Sequence, residues 1–268
     1  MRQLFIAVIF CTLFFSCGTG DHNATAKDSV KQVKLPLLES TQQQLKLFPD
    51  SSGLRLQYAF MLDSLEMYKE ALIEMDTLVR KDSLNHGLLF TQGQIAEDGG
   101  DTMLALKSYS KAAAVYESPD VLLALANLYA EMKNDRAILF CSRVKALGLG
   151  READANCAFI TGVYYARIHK GDEAVKYFDE CIANNYTYMK AYIEKGLVYF
   201  DAKQYDKALN VFQMASRVNN LYADAYYYQA RCYEVMNKKD SAVLRFKQSI
   251  QLDPSLNEAK ERLKVLEN

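Results

Sequence analysis

The sequence predicts an all-α chain of stacked helix pairs, and three observations carry that prediction. First, one arrangement of side chains recurs every 34 residues: Tyr165, Ala174, Phe178 and Cys181, then Tyr199, Ala208, Phe212 and Ala215, then Tyr233, Ala242, Phe246 and Ser249. A period between about 20 and 50 residues marks an architecture of stacked repeats. Second, each unit opens with a small or aromatic residue, a small one four later and a tyrosine three after that: Ala158, Gly162, Tyr165; Tyr192, Gly196, Tyr199; Tyr226, Ala230, Tyr233. Offsets of four and three share one face of a helix. Third, polar turn-formers divide each unit, with HKGD at 169–172, DAKQ at 201–204 and NKKD at 237–240. The small residues then mark where two helices touch, and the aromatics fill the space between them.

The unit at 223–256 combines the aromatic, small and Tyr triplet with Ala242, Phe246, Ser249 and a closing Pro254, and so resembles the tetratricopeptide repeat. That resemblance implies a solenoid, a right-handed superhelix of helix-turn-helix repeats with capping helices at its ends. It also implies a concave face that binds a protein or peptide. Lys195 stands where the pattern has leucine, and the chain contains no tryptophan.

Along the chain, residues 1–16 hold Arg2 and then an uncharged apolar run from Leu4 to Phe15. A membrane span needs about 20 such residues, so the run reads as a signal segment. Ser16 before Cys17 resembles the lipobox of bacterial lipoproteins. The resemblance implies cleavage before Cys17, lipidation of Cys17 and, with Gly18 following it, an outer-membrane lipoprotein facing the periplasm. Residues 17–35 read as a polar, flexible tether, and 36–51 as a lone second helix that stops at Pro49. Six repeats follow, at 52–85, 86–119, 120–154, 155–188, 189–222 and 223–256. The first has Met75 and Leu78 where an aromatic and an alanine are expected. The third reaches Ala137 one residue early, which predicts a tighter turn between its helices. Residues 257–268 form a charged helix with Ala259, Leu263 and Leu266 on one stripe. Such a cap covers the apolar face that a terminal repeat cannot bury against a neighbour.

Composition fits this reading: 50% of residues are hydrophobic and only 4 are proline. With 32 basic and 33 acidic side chains the chain carries no nucleic-acid footprint. Cys141, Cys157, Cys181 and Cys232 show no CxxC spacing and are expected as buried free thiols, with Cys141 and Cys157 the first pair to test for a disulfide. Gly148, Gly150 and Ala153 match GxGxxA but follow a helix rather than a strand. Ser142 and Lys145 match SxxK without its companion motifs. His22, His86 and His169 are too scattered to form a metal site or a triad through local spacing and are expected to be solvated. No catalytic residue, metal or cofactor is expected.

The family resemblance assigns the inner surface to first-helix residues, here including Phe60, Phe90, Asn127, Phe159, Arg167, Lys190, Ile193, Leu197, Phe200, Tyr227 and Arg231. As a set they describe an apolar, weakly basic groove suited to an extended peptide or a helix of a partner. The expected function is a lipid-anchored, non-enzymatic interaction scaffold of the bacterial envelope. A secretion, pilus or motility accessory factor of the pilotin kind is the alternative among binding proteins. A groove-based hydrolase or glycan-binding protein is the alternative from another class; the hydrolase needs carboxylates paired about 5 to 10 Å apart, and the sequence shows no such pair.

Overall fold

The computed structural model describes residues 26–268, with side chains from 35 onward; the expected signal segment 1–16 and Cys17 lie outside the described residues. Fourteen helices and no strand occur among the described residues. After α1 (Ala26–Leu47) come six antiparallel pairs: α2 (Ser52–Ser64) with α3 (Tyr68–Lys81), α4 (His86–Asp98) with α5 (Thr102–Val115), and α6 (Pro119–Glu131) with α7 (Arg136–Ala146). The series continues with α8 (Arg151–Arg167) and α9 (Gly171–Asn184), α10 (Met189–Asp201) and α11 (Tyr205–Val218), α12 (Ala223–Val235) and α13 (Lys239–Leu252), and closes with α14 (Asn257–Glu267).

Within each pair the recurring small residue of the first helix lies against the large one of the second. A Cβ added at Gly196 would lie 2.2 Å from the Phe212 ring, at Gly162 2.7 Å from Phe178, and at Gly93 2.4 Å from Tyr109. Phe178, Phe212, Phe246 and Tyr109 are fully buried, as is Met75 at the same place in the first repeat. Tyr109 keeps its hydroxyl partnered by donating to Glu97 Oε2 at 2.9 Å.

Every first helix ends in the same way. Its penultimate turn residue adopts positive φ: Glu66, Gly100, Lys133, His169, Lys203 and Asn237. The next backbone N–H then reaches back five residues, as from Gln204 to the Tyr199 carbonyl at 2.9 Å and from Lys170 to that of Tyr165 at 2.9 Å. This is the Schellman arrangement, which satisfies carbonyls that a helix end leaves without partners.

The third repeat departs from expectation in an informative way. Its turn is not tighter: Asn134 N–H still bonds the Tyr129 carbonyl, at 2.8 Å, in the common pattern. The missing residue comes out of the first turn of α7, which closes with three-residue bonds from Ala137 to Asn134 and from Ile138 to Asp135. A tight first turn of this kind brings Ala137 to its buried place without altering the Schellman turn.

Two boundaries also differ. Helix α1 starts at Ala26, so residues 26–35, expected as tether, are helical; the stretch has neither glycine nor proline to interrupt it. Helix α8 starts at Arg151, ahead of the expected 155, and Gly148 and Gly150, at φ 64° and 89°, make the loop before it. At the two ends, Leu38, Thr41 and Leu45 of α1 cover the first pair, and Ala259, Leu263 and Leu266 of α14 cover the last.

Second helices pack on the first helix of the following pair, and from α6 to α12 successive first helices also meet one another. That puts the first helices on the inside of the curve. Among the described residues, no helix is long and apolar enough to cross a membrane.

Candidate functional site: the inner face of the array

The inner face contains a cleft of about 390 Å³ built by four successive first helices. Its walls are Asn127 and Glu131 from α6, Phe159 and Val163 from α8, and Lys190, Ile193 and Glu194 from α10; Tyr222 and Asp224 close it at the start of α12. Phe159 is half-buried and fixed by rings on two sides, with Tyr188 at 5.0 Å and Phe178 at 6.0 Å between centroids. The floor is therefore apolar and rigid, while the rim is charged.

Arg167 braces this cleft. Its guanidinium donates to Glu131 at 2.8 and 3.0 Å and to Glu194 at 3.1 and 3.4 Å, joining three consecutive first helices. The bonds to Glu131, followed by those to Glu194, push its pKa above the ordinary value despite the cost of burial. Two carboxylates that are far apart in sequence are thus brought onto one cation. Next to them Asn127 donates to Glu97 at 3.2 Å, adding a rung toward the N-terminus. At the C-terminal side Arg231 donates to Tyr227 at 2.9 Å and to Glu258 at 3.0 Å, and Arg262 pairs with Glu234 at 2.8 Å. Tyr222, beside Asp224, is pushed up to about 12 by burial and by that carboxylate.

Four of the residues expected in the groove, Asn127, Phe159, Lys190 and Ile193, line this one cleft, and Arg167 braces it. Phe60, 47% exposed, lies apart in a shallow apolar pocket with Leu56 and Met61. Phe90 stacks on His86 with centroids 6.4 Å apart, and His86, half-buried, also meets the Tyr116 ring at 5.6 Å, so it is only partly solvated. Leu197 and Phe200 are half-buried against the Ile193, Leu209 and Phe212 cluster.

Two expectations need correction. Tyr227, only 7% exposed, serves as packing between helices, and Ile193, 8% exposed, packs in a core cluster and shows only an edge to the cleft. Tyr227 lies against Tyr228 and Phe246 in the last core cluster. The weakly basic character also fails, because Arg167 and Arg231 are matched by carboxylates on neighbouring first helices. The carboxylates were missed although Asp63, Glu97, Glu131 and Glu234 recur at one place near the end of their first helices; Asp98 follows directly, while Glu194 and Asp224 stand at other places. Reading the acidic residues at the inward positions alongside the basic ones would have found them.

The four thiols Cys141, Cys157, Cys181 and Cys232 are buried and free. Cys157 donates its thiol hydrogen to the Cys141 carbonyl at 3.4 Å. Burial pushes Cys181 and Cys232 up to about 12, away from the thiolate form.

Comparison with known proteins agrees with this geometry. A family model described as tetratricopeptide repeat matches residues 161–217 and 193–257. A tetratricopeptide repeat protein from Parabacteroides merdae superposes with a TM-score of 0.72 at 18% identity, covering 90% of this chain and 94% of that one. The fold is a tetratricopeptide-repeat solenoid. PilW, a type IV pilus biogenesis factor, superposes at 0.63 with 15% identity, over 79% of this chain and 98% of that one. Yeast Tom70 does so at 0.57 with 14% identity, over 94% and 65%. At these identities the likeness speaks for the solenoid alone. No curated protein sequence matches the chain.

Proposed function

We infer that this solenoid is a non-enzymatic, lipid-anchored scaffold of the bacterial envelope, holding an extended peptide or a helix of a partner protein against its inner face. The observation that carries the reading is the cleft shared by α6, α8, α10 and α12, with an aromatic floor and a polar rim. Pockets with apolar floors and a few placed polar groups suit ligand recognition, and an extended or helical segment is what an elongated groove accommodates. Binding rather than catalysis is supported by the commitment of both Glu131 and Glu194 to the Arg167 guanidinium, which uses the paired carboxylates as structure. The anchor is assigned to Cys17, following Ser16 at the end of the apolar run, and the location to the outer membrane facing the periplasm.

Two experiments test this. Cys17→Ala releases the protein from membranes or leaves an uncleaved precursor; labelled palmitate in the Cys17→Ala protein overturns the anchor. For the partner, a photo-reactive amino acid replacing Lys190 gives a discrete cross-linked species in whole envelopes, and Phe159→Ala removes it. The same species arising from a probe at Glu173, on the outer surface of α9, would move binding away from the cleft.

A further inference from the structure

We propose that the inner face selects a cationic partner segment, one that presents lysine or arginine at about every third position of an extended chain. The proposal rests on the peptide-binding reading above and names the chemistry of the peptide. It starts from a charge imbalance. The whole chain is nearly neutral, with 32 basic and 33 acidic side chains. Its inner face is not: Asp63, Glu97, Asp98, Glu131, Glu194 and Asp224 come from five of the six first helices, all but α8, with further acids toward the C-terminus. Against them stand Arg167, Lys190, Arg231 and Arg262.

Pairing leaves the imbalance in place. Arg167 is shared by two carboxylates, and Arg231 and Arg262 share Glu234, with Glu258 also on Arg231. Among the described residues every arginine named on this face is already engaged, so an acidic or phosphorylated segment would meet Lys190 there as the uncommitted cation. Toward the N-terminus the excess is plainer. Asp98 of α4 acts on Asp63 of α2 as a like charge, and one oxygen of Asp63 is buried without a hydrogen-bond partner. The cleft supplies the other half of a cation's requirements: a lysine or arginine stem is apolar, and Phe159, Val163 and Ile193 form a floor on which it can lie with its charged end at the rim.

Spacing follows from geometry. Packed helices stand about 8 to 10 Å apart, and an extended chain advances about 3.3 Å per residue. A basic residue at each third position therefore keeps step with the first helices, and meets a carboxylate at every one but α8, where Arg167 stands instead. Polyanions, including nucleic acid and anionic lipid surfaces, are repelled by the same field.

The test uses the full-length protein in detergent and fluorescent peptides with arginine, glutamate or glutamine at every third position, plus an arginine peptide of the same composition with its charges in one block. Anisotropy is expected to show the spaced arginine peptide binding roughly tenfold tighter than the others, and weakening by a similar factor toward about 0.5 M salt. Asp98→Lys combined with Asp224→Lys should reduce binding roughly tenfold. Since Asp224 also faces Tyr222, Asp224→Asn serves as the milder variant, with helical content checked in each. Glu173→Lys with Asp240→Lys, on second helices, should leave binding unchanged. An equal loss from those outer changes, or preference for the blocked peptide, overturns the proposal as mere charge attraction. Tighter binding of the glutamate or glutamine peptide, lost in Phe159→Ala, overturns the charge rule and leaves the groove reading standing. Binding of none of the peptides overturns both, and preference for a DNA duplex or an anionic vesicle overturns the proposal in favour of that partner.

Discussion

At Gly196 the ordinary effect of a substitution is reversed. Replacing a helical glycine with alanine normally stabilises by about 1 kcal/mol through backbone propensity. Here the added methyl would sit 2.2 Å from a Phe212 ring that is itself fully buried. Gly196→Ala is therefore expected to lower the urea midpoint, by the equivalent of about 1 to 3 kcal/mol for an overfilled contact. Ala208→Leu should do the same, whereas Lys207→Leu, on the exposed side and over the Tyr199 ring at 5.5 Å, should be nearly neutral. Asp63 offers a test through pH. Burial and then the charge of Asp98 raise its pKa above the ordinary 3.8. The folded state then holds this proton more tightly than the unfolded chain, so stability falls as pH rises from 3.8 through the raised value. Asp63→Asn should accordingly raise the melting temperature at neutral pH and give no advantage below the ordinary carboxylate range. An equal gain at both ends would mean that the like-charge contact with Asp98 contributes nothing. The close approaches around Gly196 were legible in the sequence because size and period encode them directly. The Asp63 and Asp98 pairing was not, since it depends on how two neighbouring repeats are rotated on each other.

Helix ends were legible only by class. Polar stretches marked each turn, yet nothing in HKGD, DAKQ and NKKD singles out the middle residue of the α10–α11 connection, Lys203, as left-handed. Its φ is 57°. The geometry is enforced by the Schellman bond to Tyr199 and by packing of the following helix, which outweigh a strain of about 1 to 2 kcal/mol for a residue with a Cβ. Only Gly100 meets the demand without strain, at φ 78°. Lys203→Gly should then be neutral or mildly stabilising, because relief of strain offsets the greater entropy of the unfolded chain. Lys203→Ile should be clearly destabilising, since a branched Cβ fits this region worst. Thermal melts of the pair decide the matter; equal losses would show that the lysine side chain, and not the backbone, holds the turn. The shortened start of α7 was hidden for a related reason. A one-residue deletion is visible in sequence, but whether it falls in a turn or in a first helical turn depends on which hydrogen bonds survive, and here the Asn134 to Tyr129 bond survives.

For the whole molecule, the array is a row of neighbours in which each pair supports the next, so stability should be local rather than shared. The last pair shows this best. Tyr227, Ala230, Ala242 and Phe246 are closed on their outer side by Ala259, with Leu263 and Leu266 packed against the same cluster. Glu258 and Arg262 of α14 also complete the charge network with Arg231 and Glu234, and Glu267 pairs with Lys247 at 2.7 Å. Deleting residues 257–268 uncovers that cluster and leaves the Arg231 and Glu234 network without its outer members. In a quasi-one-dimensional array only nearest neighbours feel such a loss directly. Hydrogen exchange is therefore expected to show α12 and α13 opening much faster in the truncated chain, α10 and α11 somewhat faster, and α2 to α5 at their original rates. Uniform acceleration across all six pairs would mean that the solenoid unfolds as one cooperative block. In that case the contact of first helices from α6 to α12, together with the packing of each second helix on the next pair, rather than the packing within each pair, would be what sets its stability.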